Sequence, residues 1–354
     1  MVRDEADVIS AMIDHHLEQG VDIIIVTDNA STDGTAEILR DYERRGLLEL
    51  RHDPEHRKQQ GKLVTQMARD AAVRYAADWV INADADEFWF PASGGITLHE
   101  AFERIPPSVR TFDVPVYDMI GAPAWTGSGL QRLRYRDLRS EAELRSIGLR
   151  AHATHDAPHI GTDDIVVAQG NHFVNLEKGD PVPAGAEIEV LHFPWRSWEQ
   201  YERKVRNTGT SYENSPDLVP SPNHHGMRDY RRLISGVLRP LYIARHPSED
   251  EIAEGLRDGR FVLDERVADA YPSPVPDEPM SGEQVERERA IGAAIAELDG
   301  RLADQDDQLR ELQAQRASDR TELEHLRALV GAYQSRRLVQ IGDRLSRAVR
   351  GGRS

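Results

Sequence analysis

Apolar and polar positions divide the chain into three stretches. Up to about residue 90, helical spacing alternates with short apolar runs. Val8, Met12, Ile13 and Leu17 recur at helical spacing over 7–19 and stop at Gly20, a residue suited to the position just past a helix end. The β-branched run over 22–27 predicts a buried strand. Asn29 to Gly34 predicts a turn, with Ser31 or Thr32 capping a helix that runs to about Arg45. Residues 47–51 predict a short strand and 62–76 a helix. The apolar run 79–83, closed by Asp84, Asp86 and Glu87, predicts a buried strand of a parallel sheet. This strand–helix alternation implies an α/β fold with a doubly wound sheet.

From residue 90 to 281 the rhythm is less regular. A helix is predicted at 97–104 and an alternating strand at 111–117, while 119–160 is polar and arginine-rich without a clear period. Strands are predicted at 164–168, 171–176 and 187–193, and helices at 197–207, 227–238 and 249–257. Residues 271–281 carry four prolines and read as a linker. The expected domains are therefore 1–245, a helix and linker over 246–281, and a C-terminal region from 282 onward.

Beyond the linker the period becomes seven. With Ile291 in the first core position, Leu298, Leu312, Leu326 and Tyr333 fall in one row; Ile295, Leu302, Leu309, Leu323 and Val330 fall in the other. This predicts a coiled coil over 282–335 and a homo-oligomer, interrupted by Gln305, Arg316 and Asp319. A lone amphipathic helix folded back on the first domain is the alternative. A basic tail over 336–354, with Arg336, Arg337, Arg344, Arg347, Arg350 and Arg353, suits either a frayed end or peripheral contact with an anionic membrane.

Composition narrows the classes. A formal charge of −17 over 354 residues argues against a general nucleic-acid binder. The chain has no cysteine, so a metal would rest on carboxylate, imidazole or water. Without an apolar run of about 18 residues or a signal peptide, a soluble cytoplasmic protein is expected. Lysine occurs only at 58, 62, 178 and 204.

Asp84-Ala85-Asp86 carries the chemistry. Two aspartates one residue apart at a strand end can hold a divalent cation, Mn²⁺ or Mg²⁺, and the cation can bridge to a diphosphate. The plain alternative is a polar strand exit with solvated acids.

Four segments then agree in order: Met1-Val2-Arg3-Asp4-Glu5-Ala6-Asp7; His15 to Asp22; Asp28-Asn29-Ala30-Ser31-Thr32-Asp33-Gly34-Thr35; and Gly61-Lys62 followed by Asp84-Ala85-Asp86. The series resembles glycosyltransferase family 2 over about residues 1–240, most closely over 1–90. The resemblance implies a GT-A fold: a Rossmann-like mixed sheet flanked by helices, here followed by the C-terminal coiled-coil helix. It implies a metal-dependent inverting transferase that moves sugar from a nucleotide diphosphate donor, UDP-sugar favoured, to a glycan or lipid-linked acceptor.

Residue by residue, the resemblance assigns Glu5 and Asp28, with Asn29 beside it, to the nucleoside. Lys62, with Arg57 and Lys58 nearby, goes to base or phosphates. Asp84 faces the ribose or a metal-bound water, and Asp86 binds the metal. His192 is the candidate third ligand and Arg196 faces the phosphates. Each has an ordinary reading too: a helix N-terminal acid for Glu5, an Asx turn for Asp28, a basic helix start for Lys62 and a backbone-satisfied histidine for His192. His172 is expected to shape the sugar or acceptor site. His152, His155 and His159 lack a supporting zinc pattern. Asp163 and Asp164 are the candidate bases, Asp118 less so.

The family carries an apolar first strand before its opening motif, and here almost nothing precedes Arg3. The expectation is a true start upstream. A catalytically degenerate domain acting as a coiled-coil scaffold is the competing function.

Overall fold

The computed structural model describes residues 1–57, 59–215, 217, 218, 220 and 225–351. Lys58 and Arg353, both named among the basic residues, lie outside them. In chain order the elements are α1 Ile9–Glu18, β1 Ile25–Asp28, α2 Thr35–Arg44, β2 Glu49–His52, α3 Gln60–Tyr75, β3 Trp79–Val80, β4 Glu87–Pro91, α4 Leu98–Glu103 and β5 Val116–Ile120. There follow β6 Ala124–Thr126, β7 Tyr135–Asp137, α5 Glu141–Ser146, β8 His159–Ile160, β9 Ile188–His192, α6 Trp198–Glu213, α7 His225–Ile234 and α8 Leu238–Arg245. The last are α9 Glu249–Asp258, β10 Phe261–Leu263, α10 Arg266–Ala270, β11 Glu278–Pro279 and α11 Glu283–Gly351. The result is a mixed α/β fold with helices flanking a mixed sheet.

Five strands form that sheet in the order β10-β7-β5-β9-β4, with β5 and β9 parallel and the other neighbours antiparallel. Side chains of β4 alternate between its faces. Phe88 and Phe90 join the core with Ile9, Ile13, Leu39, Leu191 and Phe193, while Trp89 joins Leu98, Val109, Val114 and Val190 on the other side. Both faces are covered, which is why this strand is apolar from Phe88 to Pro91.

β1 and β2 form a separate parallel pair. Val2 bridges Asp28 beside β1: its N–H donates to Thr27 O at 2.9 Å and its carbonyl accepts from Asn29 N at 2.9 Å.

The parallel strand expected at 79–83 is not formed. Only Trp79 and Val80 pair, antiparallel to β8. The acids after them make a turn, because Glu87 Oε2 accepts from Asp84 N at 2.8 Å and Glu87 N donates back to Asp84 O at 3.2 Å. The Asp84–Asp86 segment therefore enters β4 rather than ending a parallel strand. At 111–117, Pro115 removes a backbone donor, and only isolated bridges at Thr111 and Val114 precede β5. The two strands expected at 164–168 and 171–176 reduce to one bridge, Val167 to Val174. At α2 the cap is Gly34, in left-handed backbone at φ 102°, rather than Ser31 or Thr32. Those two hydroxyl residues face Asp4 instead.

The first compact unit runs from Met1 to Glu297. The region expected to hold a helix and linker, 246–281, supplies β10 at the sheet edge, and its proline-rich part, 271–281, supplies β11 paired with β6. α11 begins in this unit, where Gly292 is required: a Cβ there would lie 2.1 Å from Pro240 O. The second unit starts at Leu298 and is the remainder of α11. It is helical through the expected basic tail to Gly351, with its side chains exposed from Asp304 onward.

Candidate active site

Strand register builds one wall of the site. β9 pairs His192 with Glu87 on β4 and with Asp118 on β5, placing all three in one row across the sheet. Phe193 N donates to Asp86 O at 2.9 Å, which fixes the turn before β4 against the same row.

Asp86 is buried at the centre. Lys204 Nζ lies 2.5 Å from its Oδ2, Arg196 Nη1 3.4 Å and His192 Nε2 3.7 Å. Burial opposes its charge, but these three cations outweigh that and hold the carboxyl well below the usual range. His192 also donates Nδ1–H to Asp118 Oδ1 at 2.8 Å. Against the cost of burial, Asp86 and Asp118 hold its imidazole well above the usual histidine range. Arg196 is fully buried; it contacts Asp7 at 2.7 and 3.1 Å and donates to Glu5. Burial pushes the Glu5 carboxyl up to about 7 despite Arg196 and Lys204. Burial, with Asp156 and Asp84 adding repulsion, raises Glu87 well above the usual range.

A cleft of about 150 Å³ opens over this cluster. Glu5, Asp84 and Asp86 line it with Arg3, His56, Arg57, Gln60 and Asn29. α6 supplies Lys204, Asn207, Thr208 and Ser211, which share one helix face. The opposite face of α6 packs on α7, where Gly209 leaves room for Tyr230; a Cβ would sit 2.3 Å from that ring.

The opening motif and the turn after β1 are locked together. Asp4 N donates to Ser31 Oγ at 3.0 Å, and Asp4 Oδ1 accepts from Thr32 N at 2.7 Å. Glu5 N donates to Thr35 Oγ1 at 2.8 Å, and Ala6 N to Asp33 Oδ2 at 3.0 Å. By satisfying backbone donors, these side chains hold in place the opening motif, whose Arg3 and Glu5 line the cleft.

The structure thus brings Glu5, Asn29, Asp84, Asp86, His192 and Arg196 together. Asn29 is held by Asp53 and Glu55 through its amide, so its side chain is structural. Asp28 is buried and takes the Asx-turn role, accepting from Ser31 N at 3.3 Å. Lys62 is exposed on α3 and is not among the cleft-lining residues. Asp163 and Asp164 are exposed beyond β8, where Thr162 Oγ1 donates to Asp164 at 2.5 Å; neither lines the cleft. The three histidines weighed for zinc are engaged separately: His152 with Arg139 O, His155 with Asp113 and His159 with Ile160 O.

The metal expectation meets the same geometry. Among the described residues, no group of three or more histidine, aspartate and glutamate side chains is arranged to hold a metal ion. Asp84 is held by Gln60 at 3.2 Å and Asn171 at 3.0 Å, and Asp86 faces three cations. As arranged, this donor set does not fit a divalent ion.

Sequence reasoning missed Lys204, Asn207, His56 and Asp156. Lys204 carried a usable signal, as one of four lysines in an arginine-rich chain. Asp156 carried none, because its neighbours come from distant segments.

Residues 1–115 match the model of glycosyltransferase family 92. The match supports glycosyltransferase as the enzyme class; the matching model is that of family 92, not of family 2, which the motif series resembles. No curated protein matches the chain.

Proposed function

We propose that the cleft binds a nucleotide diphosphate sugar, a UDP-sugar, and that the chain transfers the sugar with inversion to a hydroxyl of a glycan or lipid-linked acceptor. The observation that carries this reading is the Asp86–Lys204 pair, which lines one cleft together with Asp84, Arg3 and Arg57. Arg3, Arg57 and Lys204 supply cations for a diphosphate in a chain that is otherwise strongly acidic. The family 92 match and the family 2 motif series overlap in residues 1–90, and we read both as one donor-binding half. Small-molecule sites usually measure about 300–1,000 Å³. The cleft is smaller, so a donor would occupy it with its diphosphate and reach past the rim.

Mn²⁺ or Mg²⁺ would bind at Asp86 in place of the Lys204 ammonium, which occupies the same Oδ2. Contact of the arginine-bearing end of α11 with an anionic surface is likewise a proposal; among the described residues no helix is long and apolar enough to cross a membrane.

The test is calorimetric titration of UDP and GDP, each with and without Mn²⁺, into wild type and Lys204→Met. UDP binding without Mn²⁺ that weakens at least tenfold in the variant supports the reading. Absence of nucleotide binding by the folded wild type overturns it and leaves the scaffold function.

A further inference from the structure

We propose that His172, oriented by Asp156, is the general base that takes the proton of the acceptor hydroxyl; this rests on the transferase reading. The two residues come from different loops. Asp156 is joined to Val114 by a pair of backbone hydrogen bonds of 2.9 and 3.0 Å, which fixes its position beside the main sheet. Its side chain is only 1% exposed, and its Oδ2 has no hydrogen-bond partner. Its Oδ1 accepts from His172 Nδ1 at 3.1 Å. That bond leaves the imidazole Nε2 as the free lone pair, on a side chain that is 33% exposed. A buried carboxylate behind a solvent-facing imidazole is the arrangement by which one group orients and another accepts a proton.

The backbone aims the ring. Gly170 and Asn171 both adopt left-handed backbone, at φ 90° and 66°, and Ala168 N closes the turn on Phe173 O at 2.8 Å. Asn171 then donates its amide to Asp84 Oδ1 at 3.0 Å, while Gln169 donates to Gln60 Oε1 at 2.7 Å. Asp84 and Gln60 line the donor cleft, so the turn that carries His172 is fastened to its rim, with His172 itself just outside the lining on the side open to an acceptor. Phe173, beside the imidazole, is 56% exposed and meets His155 edge-on with ring centres 5.4 Å apart. A large exposed ring next to His172 in the chain offers a face to the C–H groups of an acceptor sugar.

In the step, the acceptor hydroxyl gives its proton to His172 Nε2 and its oxygen pair forms the bond to the anomeric carbon. The bond from that carbon to the donor phosphate oxygen breaks, and its electron pair leaves with the nucleoside diphosphate. Asp156 stabilises the imidazolium, which returns the proton to solvent. The other charged groups around the pair are Asp84 and Glu87 from the turn, His192 from β9 and His155 beside Asp156.

The experiment uses the full chain and measures UDP released from UDP-glucose, UDP-galactose and UDP-N-acetylglucosamine, with water or methyl glycosides as acceptors, across pH. UDP calorimetry runs in parallel. His172→Ala should lower kcat by about 10²–10⁴-fold with UDP affinity within about twofold of wild type, and added imidazole should restore part of the rate. Asp156→Asn should move the acid limb of the kcat/KM profile to lower pH, because the imidazolium loses its carboxylate. An unchanged kcat in His172→Ala, an unmoved limb in Asp156→Asn, or no UDP release by a wild type that binds UDP would each overturn the assignment. A wild type that does not bind UDP overturns the donor reading itself, and the base with it.

Discussion

Lys204 Nζ sits 2.5 Å from Asp86 Oδ2, and the ammonium caps the carboxylate that the motif would offer to a metal. Burial opposes the lysine's charge, yet Asp86 and Glu5 hold its ammonium above the usual lysine range. A divalent ion and this ammonium compete for the same oxygen. Removing the ammonium in Lys204→Met should therefore tighten Mn²⁺ binding at least tenfold, read by direct Mn²⁺ titration with spin-resonance detection. Equal or weaker Mn²⁺ binding in the variant would rule out competition at Asp86.

Arg196 should be costly to remove. Its guanidinium is fully buried and meets Asp7 through two nitrogens, Glu5 through one and the Phe193 carbonyl at 3.2 Å. Arg196→Ala leaves these carboxylates in a poorly solvated site, and breaking a buried pair from one side costs about 3–5 kcal/mol. Lysine cannot reproduce the two-nitrogen contact, so Arg196→Lys should recover only part of the loss. Urea unfolding measures both; a loss below about 1 kcal/mol for the alanine variant contradicts the network's structural role.

Glu5 sets a pH dependence. Its carboxyl ordinarily titrates at 4.5 and is pushed up to about 7 in the fold by burial. Between these values the folded protein holds the proton that the unfolded chain has released, so this group's stabilising contribution is full below about 4.5 and is lost as pH rises through about 7. Glu5→Gln cannot titrate. The stability difference between wild type and variant should therefore fall across that window and flatten above it, as thermal unfolding at stepped pH will show. A flat difference from pH 4.5 to 7 contradicts the elevated carboxyl.

How much of the molecule is legible in its sequence depends on whether partners lie close along the chain. α1, β1, α3, α6 and the long terminal helix follow from spacing alone, because a helix face or a β-branched run is a local signal. Gly20 ends α1 in left-handed backbone, as its position predicts. The Asp84–Asp86 segment is visible, but its direction is not: Glu87 turns it into the start of β4 through a hydrogen bond that no period reveals. His192 and Arg196 stand out by their motif and do converge on Asp86. Asp163 and Asp164 have only their acidity to recommend them, and the chain leaves them on the surface. Asp156 and His172 depend on pairing between distant loops, information carried by the sheet rather than by spacing.

The exposed heptads of α11 predict self-association. Leu298, Leu312, Leu326 and Tyr333 in one row, and Leu302, Leu309, Leu323 and Val330 in the other, are each between 48% and 66% exposed. A long helix with both core rows in water leaves its apolar seam unsatisfied, and pairing with a second copy buries it. Each leucine covered this way contributes about 1.5–3 kcal/mol, so the seam suffices for association at micromolar concentration even with Gln305, Arg316 and Asp319 interrupting it. The full chain should sediment as a dimer, and Leu309→Glu with Leu312→Glu should shift it to monomer by placing like charges in adjacent core layers. UDP binding by the first unit should survive that change, since its cleft residues all precede residue 212. A wild-type protein that sediments as a monomer at tens of micromolar (about the upper range for such seams) would refute the pairing and leave α11 without a second copy.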